Sequence, residues 1–165
     1  MGSPYISQAL VRDRTRRLAR RAKSRRQALA ELSEHLAEVS LFATCGKKEL
    51  RAIAKTAKIA NVNKGTQMIT EGEPGETMYV ILAGSARVSR GGRKIATAGR
   101  GDSFGELALL SKGPRTATVV ALSDMEVAII TRRQLTALLT AAPAFARKLL
   151  QSLADLVRKL DKKVV

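Results

Sequence analysis

Between Val62 and Thr131 the chain breaks into short β-branched and apolar runs separated by glycine, and this texture constrains the fold more than any other feature. Val62–Thr70, Thr77–Arg90, Lys94–Ala98 and Thr116–Thr131 read as strands, some holding a turn within them. Gly65, Gly72, Gly75, Gly84, Gly91, Gly92, Gly99 and Gly101 fall between or at the ends of these runs, where tight turns require positive backbone angles. Turns at such close spacing leave no room for the crossover helices of a parallel sheet. The expectation is a compact antiparallel structure, either a β-roll (jelly-roll-like) or a barrel.

Helical periodicity brackets the roll. Leu29, Leu32, Leu36 and Val39 recur at steps of three and four, one apolar stripe on a helix. A shorter helix over about Lys47–Lys58 carries Leu50, Ile53, Ala54 and Ala57 on one face. Beyond the strands, Leu135, Leu138 and Leu139 make a short helical stretch that Pro143 interrupts. A last helix runs to about Lys162, with Leu149, Leu153, Leu156 and Leu160 in a four-three-four rhythm and Leu150 and Val157 alongside. The fold class is therefore α+β. Residues 1–40 form a basic helical arm and 41–165 the globular part, with strands over about 59–131 and C-terminal helices over about 132–162.

Charge is the compositional outlier. Thirty Lys and Arg against fourteen Asp and Glu give +16, spread along the whole chain. The densest cluster is Arg12, Arg14, Arg16, Arg17, Arg20, Arg21, Lys23, Arg25 and Arg26, relieved only by Asp13. Like charges so close repel one another on a helix, and a polyanion relieves them. RNA, the ribosome or DNA are the candidate partners; a membrane surface fits less well, since the arm lacks a Trp- or Phe-rich face.

Other classes are set aside on residue counts. One cysteine, Cys45, allows no internal disulfide, and one histidine, His35, allows no His-rich metal site. Cys45 reads as a small hydrophobe, His35 as helix surface, and Tyr79, Phe104 and Phe42 as core. No apolar run approaches the ~18 residues of a membrane span. No acid–base pair, nucleophile or metal constellation is visible, so no catalytic residue, metal or cofactor is assigned. A cytoplasmic protein is expected.

One segment carries chemistry. A strand ends at Phe104, Gly105 turns the chain, and Glu106 to Leu110 make one helical turn whose leading N–H groups suit an anion. Arg115 offers a planar fork for two phosphate oxygens, Thr116 a hydroxyl beside it, and Glu106 a carboxylate that accepts from a sugar hydroxyl. Together they describe a pocket for a small phosphorylated sugar.

Phe104-Gly105-Glu106-Leu107-Ala108-Leu109, followed by Pro114-Arg115-Thr116-Ala117-Thr118-Val119, resembles the phosphate-binding cassette of the cyclic nucleotide-binding domain, the sensor of catabolite-activator-type regulators, regulatory kinase subunits and gated channels. Gly72-Glu73-Pro74-Gly75-Glu76-Thr77-Met78-Tyr79-Val80-Ile81-Leu82-Ala83-Gly84 is similar to the family's Gly-acidic turn and following strand, and Leu41-Phe42 also fits. The resemblance covers about residues 39–162. It implies that Arg115 pairs with the cyclic phosphate and that Glu106 binds the ribose 2′-hydroxyl. Gly105 would let the backbone approach, and N–H groups near Leu107, Ala108 and Thr116 would complete the cradle, with Phe104 and Ala117 flanking. The last helix would act as a lid after a hinge, with Leu156 and Leu160 at the base-capping positions.

The function expected is a cyclic nucleotide sensor without catalysis, for cAMP or cGMP. Threonine at 116 favours cGMP in some members of the family, but the likeness to bacterial sensors favours cAMP. With nothing after Val165 to form a helix-turn-helix, output is expected through the lid, the arm or a partner, the lid helix being a candidate homodimer seam. The rival reading is a nucleic-acid- or ribosome-associated protein using the roll as a scaffold.

Overall fold

A computed structural model describes the backbone of residues 4–164 and the side chains of residues 16–155, 157–159 and 161. α1 runs unbroken from Pro4 to Ala37, and a 3-10 turn at Ser40–Phe42 leads to α2, Lys47–Thr56. Eight strands follow: β1 (Lys58–Val62), β2 (Gln67–Ile69), β3 (Thr77–Ala83), β4 (Ala86–Arg90), β5 (Arg93–Ala98), β6 (Ser103–Phe104), β7 (Thr118–Ala121) and β8 (Met125–Thr131). One helical turn, α3 (Leu107–Leu110), lies between β6 and β7, and α4 (Arg132–Ala141) and α5 (Pro143–Val164) close the chain.

The strands form two four-stranded sheets, ordered β1-β8-β3-β6 and β2-β7-β4-β5, with antiparallel pairing throughout. Side-chain alternation sorts the first sheet into two buried faces. Met78 and Val80 of β3 and Ala128 and Ile130 of β8 join the helical core of Leu32, Leu36, Phe42, Ile53, Leu135, Phe145 and Leu149. Ile81 of β3 and Val127 of β8 point the other way, into the space between the sheets, with Ile69, Phe104, Val119 and Ala121. A sheet buried on both sides explains why β3 and β8 read as nearly continuous apolar runs. The roll and its helices match the expected α+β class, and Phe42 and Phe104 are core, as read. Tyr79 packs on that core, stacked on its cross-strand partner Phe104 with ring centroids 5.1 Å apart.

The junction into α4 is fixed locally. The Thr131 hydroxyl accepts from the Gln134 N–H at 3.1 Å, and Gln134 Oε1 accepts from the Thr131 N–H at 2.9 Å, a capping box. Gln134 Nε2 also donates to the Thr56 carbonyl at 2.7 Å, binding the end of α2 to the start of α4.

α5 is seated by apolar and polar contacts together. Phe145 and Leu149 are buried in the helical core, and so is the hydroxyl-bearing Ser152. The Thr44 N–H donates to Ser152 Oγ at 3.1 Å, the two hydroxyls pair at 2.7 Å, and Thr44 Oγ1 donates to the Lys148 carbonyl. Lys148 Nζ pairs with Glu49 at 2.6 Å, linking α5 to α2. That ammonium, hydrogen-bonded to the carboxylate, is the main cause holding Glu49 below the ordinary carboxylate range. A depressed folded pKa contributes stability above the unfolded value, and the contribution is lost as pH falls through the folded one. The pair is partly solvated, so Glu49→Gln is expected to cost only about 0.5–1 kcal/mol near neutrality. In urea denaturation the difference from the parent should vanish at pH values well below the ordinary carboxylate range. Leu150 and Val157, in contrast, are exposed. The 4-3 rhythm of α5 thus splits, with Leu149 buried, Leu153 partly buried against the same core, and the side chains of Leu156 and Leu160 outside the described residues.

Candidate ligand pocket

Arg115 is built in from three sides. Its backbone is clamped by two hydrogen bonds to the 72–73 turn: its N–H donates to the Glu73 carbonyl at 2.8 Å, and its carbonyl accepts from the Gly72 N–H at 2.8 Å. Its guanidinium is aimed by Thr77, at the start of β3. Nη1 donates to the Thr77 carbonyl at 2.7 Å and Nη2 to the Thr77 hydroxyl at 2.9 Å. Two glycines make room for it. A Cβ on Gly75 would collide with the guanidinium, and one on Gly105 would stand 2.8 Å from both Nη1 and the Thr77 carbonyl. Gly105 also has φ +85°, a backbone region that side chains strain to enter. Thr77 satisfies two of the five donors of an arginine, so the fork is oriented without being used up.

Glu106 stands at the head of α3, where the Ser103 hydroxyl donates to its Oε1. The Ala108 N–H is already taken by the Gly105 carbonyl at 3.1 Å and the Leu109 N–H by the Glu106 carbonyl at 3.0 Å. Phe104, Gly105, Glu106, Leu107, Ala108, Arg115, Thr116 and Ala117 all line one cavity of about 440 Å³. The structure therefore brings together every cassette residue expected from the sequence. The volume lies within the range of small-molecule pockets, and the walls are mixed in character, apolar from Ile69, Val88, Ile95 and Val119.

Three contributors escaped the sequence reading. Thr77 carries no motif-independent signal, since a threonine opening a strand is ordinary. Arg90 lines the cavity from the end of β4, its Nε donating to the Thr116 carbonyl at 2.9 Å. Arg132, the first residue of α4, donates from Nε to the Ala108 carbonyl at 2.8 Å and from Nη2 to the Ser111 carbonyl at 2.7 Å. Its Nη1 pairs with Glu76 at 3.2 Å. One side chain thus joins α4 to the α3 turn and to the loop before β3.

A second cavity, of about 720 Å³, shares Val88, Ser103, Glu106 and Leu107 with the first and is bounded by Leu153 of α5 and by residues 38–41. Leu153 is the α5 side chain that the described structure places there; the expected capping residues, Leu156 and Leu160, have side chains outside the described residues. Cys45 is half-buried, and desolvation pushes its thiol up to about 11, which suits a packing role. His35 is only partly exposed, facing the Gly101 turn at 3.5 Å from where a Cβ would stand. Among the described residues no helix is long and apolar enough to cross a membrane.

Comparison with known proteins agrees with this geometry. The chain is 38% identical over 92 residues to a cGMP-dependent protein kinase of Toxoplasma gondii, covering 56% of this chain and 9% of the kinase. It is 27% identical over 135 residues to a CRP-like cAMP-activated global transcriptional regulator of Mycobacterium tuberculosis, covering 79% of this chain and 60% of the regulator. The chain thus spans only part of the length of these relatives. Among solved structures, the N-terminal domain of a transcriptional regulator from Streptomyces coelicolor A3(2) superposes with a TM-score of 0.71 at 28% identity, covering 78% of this chain and 93% of that one. The model of the cyclic nucleotide-binding domain matches residues 59–142, half of the chain and all of the roll but its first residue, with the cassette included. With that match, and with an oriented arginine and a glutamate on one cavity, the chain belongs to the cyclic nucleotide-binding domain family.

Proposed function

We propose that this protein is a cAMP sensor that reports occupancy of the cassette through α5. The observation that carries the reading is the Thr77-oriented guanidinium of Arg115 on the same cavity wall as Glu106. A cyclic phosphate carries one delocalised negative charge, which a pre-aimed planar fork in a partly desolvated pocket stabilises without reorganising. Glu106 keeps acceptor capacity beyond its bond from Ser103 and takes the ribose 2′-hydroxyl. Ile95, Val88 and Leu107 provide the apolar surface for the base. We favour cAMP over cGMP because the relative named for cAMP matches over 135 residues and the one named for cGMP over 92.

The mechanism is a population shift, in which ligand moves a helix only by binding one of its states better than another. Arg132 connects the α3 turn to α4, and Leu153 of α5 borders the space beside Glu106 and Leu107. A phosphate drawn onto Arg115 pulls on this turn, α4 follows through Arg132, and α5 settles over the base. Leu156 and Leu160 follow Leu153 by three and seven residues, the spacing of one helical face, and are the base-capping residues in this reading. Hydrogen exchange on the full chain tests it: saturating cAMP should slow exchange of the α5 amides as well as those of residues 104–117. Protection confined to the cassette would remove α5 from the mechanism. Tighter binding of cGMP than of cAMP in a calorimetric titration would reverse the ligand assignment.

A further inference from the structure

The core accounts for α1 only from Leu29 onward, where Leu32 and Leu36 become buried. Upstream, every residue from Arg16 to Ala28 is exposed although the helix is continuous. At 1.5 Å per residue this stretch is about 20 Å of bare helix. Its cations do not share a face. At 100° per residue Arg16, Arg20 and Lys23 make one stripe, Arg17, Arg21 and Arg25 a second, and Arg26 stands opposite the second. Leu18 is the large apolar side chain exposed there. No carboxylate pairs with Arg20, Arg21, Lys23, Arg25 or Arg26 among the described residues.

We propose that this part of α1 is a DNA-binding arm that lies in the major groove of a duplex and contacts phosphates on both walls. A flat anionic surface would neutralise one stripe and leave the others facing water. A groove presents phosphates on two sides, matching charge that surrounds the helix. The dimensions agree, since a helix with its side chains is about 10–12 Å across and the B-DNA major groove about 12 Å wide. The A-form RNA major groove is too narrow to admit it. A bilayer surface would require an apolar face, and Leu18 alone does not make one. Seven of the thirteen side chains from Arg16 to Ala28 are Arg or Lys, so the affinity is expected to be dominated by phosphate neutralisation.

The test is fluorescence anisotropy of the full chain with a labelled DNA duplex at 50 and 200 mM salt. Neutralising five or six phosphates gives a log–log salt slope of about −5, so affinity should fall about 10³-fold across that range. Gln at Arg20, Arg21, Arg25 and Arg26 together should flatten the slope by about 3.6 and abolish binding at 200 mM. Helix content by circular dichroism and cAMP binding should be unchanged in that variant, separating this proposal from the sensor reading. Gln at Arg93 and Lys94, exposed on the roll, should leave DNA affinity within about twofold, as expected for cations that make no phosphate contact. The proposal is overturned by no duplex binding at 50 mM salt, by a slope that the fourfold variant leaves unchanged, or by equal or tighter binding to an RNA duplex or to phosphatidylserine vesicles.

Discussion

Arg115→Ala is expected to weaken cAMP binding by ~2–4 kcal/mol, the cost of removing one partner from a desolvated charge pair. That is about 30- to 1000-fold in Kd at 25 °C. The fold should survive, because Thr77 loses only two hydrogen bonds and the backbone clamp to Gly72 and Glu73 does not need the side chain. Arg115→Lys should not restore affinity. An ammonium is a point charge and cannot keep two donors on Thr77 while presenting a fork to phosphate. Calorimetry on the parent and both variants measures this; affinity within twofold in the alanine variant would mean that Arg115 does not hold the anion, Arg90 being the other cation that lines the cavity.

The second large effect is on stability. Phe145 is 2% exposed and anchors the start of α5 in the helical core beside Phe42 and Leu135. Phe145→Ala is expected to cost about 3–5 kcal/mol, lost transfer energy plus the cavity left behind. A domain of this size has about 5–15 kcal/mol in total, so the variant should show a sharply lower urea midpoint. Val157→Ala, on the same helix but 59% exposed, should change stability by less than ~0.5 kcal/mol. If Phe145→Ala cost under ~1 kcal/mol, α5 would not be seated as described. The sensor mechanism would then lose the reference position from which α5 moves.

Which parts of this arrangement were legible in sequence follows from the range of each interaction. Turns are local, so glycines such as Gly84 and Gly105, both at positive φ, marked the strand ends and the entry to α3. Strand order is not local. Period-two alternation assigns a residue to a face but names no partner, and β1 pairs with β8 across most of the roll, Lys58 opposite Ile129. The capping box at Thr131 and Gln134 is present in the sequence as T-x-x-Q but goes unread, because Thr131 ends the β-branched run of β8 and reads as strand rather than as a cap. In the pocket, Gly105, Glu106 and Arg115 stood out as a motif. Thr77 falls within the Gly72–Gly84 stretch without being marked as a site residue and Arg132 falls in no motif, since each acts through contacts made only when distant segments meet, 38 residues apart for Thr77 and Arg115. Gly75 was noted as part of a turn; its steric reason, the guanidinium against its Cα, belongs to the fold.

The most direct measurement is calorimetric titration of the full chain with cAMP and with 5′-AMP, which differ in closure of the phosphate ring. Saturable binding of one cAMP per chain, with 5′-AMP weaker by at least tenfold, is the predicted result. No heat with cAMP at millimolar concentration, or equal affinity for the two nucleotides, would contradict a pocket in which Arg115 and Glu106 together hold a cyclic phosphate and its ribose.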